Sequence, residues 1–115
     1  MPLVRILTSD SMSESARKET MLEASKIICE CMGKPEAYTM AALECGGVCM
    51  AGAPGKACFI EVRAIGGLGP AVNKKLSARL CEMAKARLGV PADRVYITFM
   101  DFPAGNWGWN GSTFG

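Results

Sequence analysis

Gly33-Lys34-Pro35 and Gly89-Val90-Pro91 are one piece of punctuation written twice. A glycine supplies the left-handed residue that closes a helix, and a proline two positions on prevents the helix from continuing. The glycines (33 and 89) and the prolines (35 and 91) are both 56 positions apart. Upstream of each lies a helical pattern preceded by a short apolar run, and downstream lies a second such run. The chain therefore reads as a βαβ unit used twice.

In the first unit, Leu3 to Leu7 reads as a strand. Ser11 stands three residues before Glu14, the spacing of a capping box. Met21, Ala24, Ile28 and Cys31 then recur at helical spacing. Tyr38 to Leu43 reads as the second strand, and Gly46 to Lys56 as a loop rich in Gly, Ala and Pro. Cys58 to Val62 opens the second unit. Gly66-Gly67-Leu68-Gly69-Pro70 turns into a helix whose inward stripe is Val72, Leu76, Leu80, Met83 and Ala84. Lys74, Lys75, Arg79, Lys85 and Arg87 form its solvated face. Val95 to Met100 is the last strand, and the tail holds Trp107, Trp109 and Phe114. The glycine turn is read as a tight turn before Pro70 at a helix start rather than a phosphate cradle, because position 72 is Val where a dinucleotide fingerprint has its third glycine.

Each βαβ unit is expected to cross over right-handedly with parallel strands. The expected fold is α/β (α+β): a duplicated βαβ forming a four-stranded mixed sheet with both helices on one face. The other face is expected to be bare and apolar. Such a patch is normally covered, and closure against further copies of the chain, as a ring, is the natural way to cover it.

The 115 residues are enough for one domain, taken as residues 1–115, which buries roughly two-thirds of its unfolded surface. Half the residues are hydrophobic and 21% are charged, an apolar balance that fits a subunit interface. A net charge of +2 is too small for a nucleic-acid binder. No apolar run is long enough to insert into a membrane, and no signal peptide is read at the N-terminus. The six cysteines lack metal or redox Cys-x-x-Cys spacing and are read as buried free thiols of a reducing, cytoplasmic compartment. No cofactor and no metal are expected.

Pro2 is the chemically distinctive residue. Removal of an initiator Met before a small residue is routine, and an N-terminal proline carries a free secondary amine. An ordinary α-amino group titrates near about 8, and apolar burial lowers that value. The chain has no histidine, which excludes Ser-His-Asp and Cys-His catalysis and removes the usual proton carrier at neutral pH. The Pro2 amine is then one of few groups able to act as a base near pH 7.

An ordered set of residues resembles one family. Met1-Pro2, Gly33-Lys34-Pro35 with Tyr38, Ile65-Gly66, Asn73-Lys74-Lys75-Leu76-Ser77, Asp93-Arg94-Val95-Tyr96-Ile97 and Asn106-Trp107-Gly108-Trp109-Asn110-Gly111-Ser112-Thr113-Phe114 run in the order seen in macrophage migration inhibitory factor and D-dopachrome tautomerase, within the tautomerase superfamily. The resemblance covers essentially the whole chain. It implies a homotrimer whose sheets surround a central channel, and keto–enol tautomerisation of a small aromatic α-keto acid or enol. It implies Pro2 as the catalytic base and a pocket of Lys34 and Ile65 from the same subunit, with Tyr96 from the neighbouring one. Thr98 falls at a second pocket position of the neighbour, where the human member of the family has asparagine. Leu3, Tyr38, Trp107, Trp109 and Phe114 fall on or near the rim. The resemblance also admits a cytokine-like role with a receptor protein as partner, and export without a signal peptide. The Cys-x-x-Cys of the family is absent, its places being Ala57 and Ile60.

Overall fold

The computed structural model describes residues 1–115. In chain order the elements are β1 (Pro2–Thr8), α1 (Glu14–Met32), β2 (Met40–Cys45), β3 (Cys49–Met50), β4 (Ala53–Pro54), β5 (Cys58–Ala64), α2 (Pro70–Met83), β6 (Val95–Asp101), β7 (Gly108–Trp109) and β8 (Ser112–Thr113). A single π-type turn, Ala84–Leu88, extends α2. The main sheet has the order β2-β1-β5-β6. β1 runs parallel to β2, and β5 parallel to β6, while β1 and β5 pair antiparallel down the centre. Two parallel βαβ units joined this way make the mixed sheet.

The spacing of 56 holds well beyond the two glycines. Shifted by that amount, β1 falls on β5 residue for residue, and Glu14–Met32 falls on Pro70–Leu88, which is α2 with its π turn. Gly33 and Gly89 close the two helices at φ 65° and 67°, the left-handed conformation a side chain would strain. Arg5 pairs with Glu61 at the middle of the β1–β5 register, and those two are themselves related by the shift. A local two-fold axis therefore passes between them.

Alternation builds the core. Along β1 and β5 the buried residues are Pro2, Val4, Ile6 and Thr8, then Cys58, Ile60, Val62 and Ala64. Ala24, Ile27 and Ile28 of α1 and Leu76, Leu80 and Met83 of α2 pack onto that face. The expected stripes are thus largely right, with Met21, Cys31 and Val72 only partly buried at its margin.

Five expectations need correction. The cap of α1 is Ser13, whose hydroxyl accepts a hydrogen bond from the Ala16 amide at 3.1 Å. Ser11 lies outside the helix, because the chain needs residues 9–12 to leave the sheet end before it can coil. Tyr38 belongs to a 3-10 turn, Glu36–Tyr38, and β2 starts only at Met40. Pro35 sets this up: it cannot extend the helix, and it caps the short turn.

The uncovered sheet face is mixed rather than apolar. Met40, Tyr96 and Met100 are exposed on its outer strands, but Arg5 bonds Glu44 at 2.6 Å and Glu61 at 2.7 Å across its middle, and Arg63 bonds Glu61 at 2.9 Å. Each central strand alternates an apolar inner side with a partly charged outer one. These guanidinium groups, Arg5 ahead of Arg63, hold the Glu61 carboxyl below its ordinary range.

The basic face of the second helix is only partly free. Arg79 reaches Glu30 at 2.9 Å, and Arg87 pairs with Glu23 and Glu19, so both belong to the seam between α1 and α2. The thiols are all unpaired, but Cys58 alone is buried and Cys49 is exposed. The loop between β2 and β5 contains the β3–β4 hairpin, which Arg94 holds through the Lys56, Met50 and Ala53 carbonyls.

Burial, with the Cys81 thiol adding to it, pushes the Cys58 thiol up to about 12. At pH 8 the native chain is expected to lose Cys49 to a thiol reagent rapidly while Cys58 stays unmodified until the protein unfolds. Mass mapping of labelled peptides checks this, and equal labelling rates would contradict it. Leu76→Ala, which empties a fully buried position between α2 and the sheet, is expected to cost about 2–5 kcal/mol in denaturant unfolding.

Candidate functional site at the Pro2 end of the sheet

Pro2 is the first residue of β1 and stands opposite Ala64, the last of β5. Its ring is fully buried on the helix-bearing side. Two further segments converge there. The αL turn at Gly33 ends α1 and sends Lys34 across to the end of β5, where its ammonium donates to the Ile65 carbonyl at 3.1 Å. Gly67, at φ 86°, leaves room for this. A Cβ there would come within 3.0 Å of Lys34 Cε and 3.2 Å of the Met32 terminal methyl. The start of β1, the end of β5 and the end of α1 therefore share one end of the sheet.

In front of Pro2 lies a cleft of about 380 Å³, with eight hydrophobic residues among its eleven lining residues. Leu3 and Met40 form its sheet side, Tyr38 comes from the 3-10 turn, and Trp107, Trp109 and Phe114 come from the tail. The aromatics support one another. Trp109 and Phe114 stack at 5.6 Å and 11°, and Tyr38 sets its edge to Trp109 at 5.4 Å and to Phe114 at 6.4 Å. Asn110 and Gly111, both at positive φ, turn β7 into β8, and the Phe114 amide donates to the Trp107 carbonyl at 3.1 Å. An Asn-Gly pair between short runs is the sequence signal of such a hairpin.

The α-amino group of Met1 sits at the mouth of this cleft. Desolvation, and then the positive charge of Lys34, lower its pKa from the ordinary value. Any amine held at this position feels both effects: burial penalises the ammonium, and a like charge repels it.

Of the residues singled out from the sequence, the chain brings Pro2, Leu3, Tyr38, Trp107, Trp109 and Phe114 together around the cleft; Lys34 and Ile65 are bonded to each other and do not line it, though the Lys34 charge reaches the Met1 amine. Tyr96 and Thr98 lie elsewhere. They are on the uncovered face of β6: Tyr96, in register with Phe59, lies toward the opposite end of the sheet, and Thr98, in register with Glu61, lies at its middle. Met40, Ala37 and Thr39 also line the cleft and carried no sequence signal beyond their closeness to Tyr38.

Comparison with known proteins bears on the whole chain. The sequence pattern of the family Macrophage migration inhibitory factor (MIF) matches residues 1–115. A macrophage migration inhibitory factor homolog of Trichuris trichiura is 34% identical over 103 residues, covering 89% of this chain and 90% of its own. The macrophage migration inhibitory factor of Xenopus tropicalis is 31% identical, with 99% of each chain covered. Among solved structures, the homologue from Prochlorococcus marinus superposes with a TM-score of 0.93 at 40% identity, covering 98% of this chain and 99% of that one. The macrophage migration inhibitory factor-like protein of Entamoeba histolytica gives a TM-score of 0.94 at 30% identity, covering 98% of both. With this fold, this ordered sequence and a cleft built around Pro2, the chain belongs to the macrophage migration inhibitory factor family.

Proposed function

We propose that this chain is a keto–enol tautomerase of the phenylpyruvate or dopachrome type, and that its base is the nitrogen of Pro2. The observation that carries the reading is the cleft itself: Pro2 lines it together with the aromatic tail, and the amine of Met1, one residue away, is disfavoured in its charged form by burial and by Lys34. Removal of Met1 converts the Pro2 nitrogen from an amide into a secondary amine. With an aromatic α-keto acid in the cleft, that amine takes a proton from the carbon next to the ketone. The bonding pair moves to form the C=C of the enol, and the proton is returned to the ketone oxygen, so Pro2 serves as base and then as acid. Lys34 binds the substrate carboxylate, and Trp107, Trp109 and Phe114 hold the ring.

Tyr96 and Thr98 complete the cleft from a neighbouring subunit of a homotrimer whose sheets enclose a channel. The exposed Met40, Tyr96 and Met100 of the uncovered sheet face support such an assembly. Residues 1–115 act as one domain, and the free thiols suit the cytoplasm. A second reading, a signalling ligand acting through a receptor and exported without a signal peptide, draws its support from the family's name. Receptor binding that survives Pro2→Gly would favour it.

The direct test is the enolisation rate of phenylpyruvate, with the intact mass of the sample confirming loss of Met1. Pro2→Gly is expected to lower kcat/KM on the order of 100-fold or more. Equal rates for the two proteins would exclude the Pro2 nitrogen as base.

The pH profile gives an independent check. A base is active when unprotonated, so a lowered pKa moves the rise in activity to lower pH than an ordinary α-amino group would give. Lys34→Ala removes a like charge and is expected to shift that rise upward, besides raising KM. A rise that stays where it was would remove Lys34 from the electrostatics of the site. Sedimentation is expected to give three times the 12.2 kDa chain mass. A monomer at micromolar concentration would leave Tyr96 and Thr98 without a role.

A further inference from the structure

A second hollow meets the aromatic cleft along Leu3, Trp107 and Gly108, which line both. It holds about 230 Å³, and its other members are Phe102, Arg63 and Asn106. Phe102 and Trp107 set ring edge to ring face at 5.7 Å and 86°, forming a rigid apolar wall. Arg63 stands directly opposite Leu3 in the β1–β5 register. Its Nη2 donates to Glu61 Oε1 at 2.9 Å, which fixes the guanidinium in place. Nε and Nη1 have no partner in the chain. Glu61 does not cancel Arg63, because its other oxygen is engaged by Arg5 at 2.7 Å. An arginine that lines a hollow half apolar in its residues, with donors left free by the chain, is suited to bind a carboxylate. A bare aromatic ring would leave those donors unused and partly desolvated.

We propose that this hollow is a subsite for a second anionic group. The preferred substrates are then elongated dianions, with an α-keto or enol acid at the Pro2 end and a carboxylate across an aromatic ring or unsaturated chain at the Arg63 end. The inference rests on the tautomerase reading of the same cleft. It makes Arg63 a specificity-determining residue, assisted by the Asn106 amide. Lys34 and Arg63 then provide one cation for each anionic end, with the ring between them against Leu3 and Trp107.

The test compares 4-carboxyphenylpyruvate with phenylpyruvate in wild type, Arg63→Met and Arg63→Lys. Wild type is expected to favour the dianion by about tenfold or more in kcat/KM, Arg63→Met to lose that ratio, and Arg63→Lys to keep part of it. No preference in wild type, or a ratio unchanged in Arg63→Met, would overturn the proposal. A second arm needs no turnover: binding of 4-carboxyphenylacetate and phenylacetate, followed by NMR. Tighter binding of the dicarboxylate that depends on Arg63, with no turnover of either keto acid, would sustain the subsite and remove the tautomerase reading. Binding that ignores Arg63 would remove the subsite even if phenylpyruvate is turned over.

Discussion

The antiparallel pairing of β1 with β5 is the constraint on which the rest of the molecule depends. It joins two parallel βαβ units into one sheet and centres the local two-fold axis on Arg5 and Glu61. It also sets Pro2 against Ala64, and hence beside Ile65, where the end of α1 delivers Lys34. A slip of one residue would turn Pro2, Val4 and Ile6 out of the core and move the N-terminal nitrogen away from its cationic neighbour. The burial of Val4, Ile6, Ile60 and Val62 against the helices is what forbids that slip.

The duplication explains the scaffold, and the departures from it explain the site. Under the shift of 56, the counterpart of Pro2 is Cys58, a residue in mid-chain with no free amine. The tail beyond β6, with its 3-10 turn and the β7–β8 hairpin, supplies the aromatic wall at one end of the sheet only. The two ends therefore share backbone geometry but differ in chemistry. The N-terminus lies at one end alone, and it is the end that the aromatic tail covers.

Much of this was legible in the sequence. The repeated Gly and Pro marks give the helix ends, and the apolar alternation gives the strands, because both report local backbone requirements. The residues around Pro2 were legible only through the family resemblance that Gly33-Lys34-Pro35 and the aromatic tail help to carry, because local pattern alone fits Trp107 and Trp109 as well to packing. What could not be read depended on long-range placement. Nothing in the local pattern shows that Arg79 and Arg87 meet carboxylates of α1, or that charges cross the middle of the uncovered face. The cap at Ser13 and the turn at Tyr38 were misread for a smaller reason. How many residues a chain uses to leave a sheet is set by the geometry of the junction and not by which residue types are available. Arg63 gave no signal because its neighbours in space, Leu3, Phe102 and Trp107, come from three separate stretches.

The most direct test is to titrate the Pro2 nitrogen itself, by 15N NMR on processed protein lacking Met1. The account predicts a midpoint clearly below the ordinary α-amino value of about 8, with the neutral amine as the major form at pH 7.5. A midpoint at or above that ordinary value would contradict it, since the cleft would then hold a cation where the chemistry needs a base.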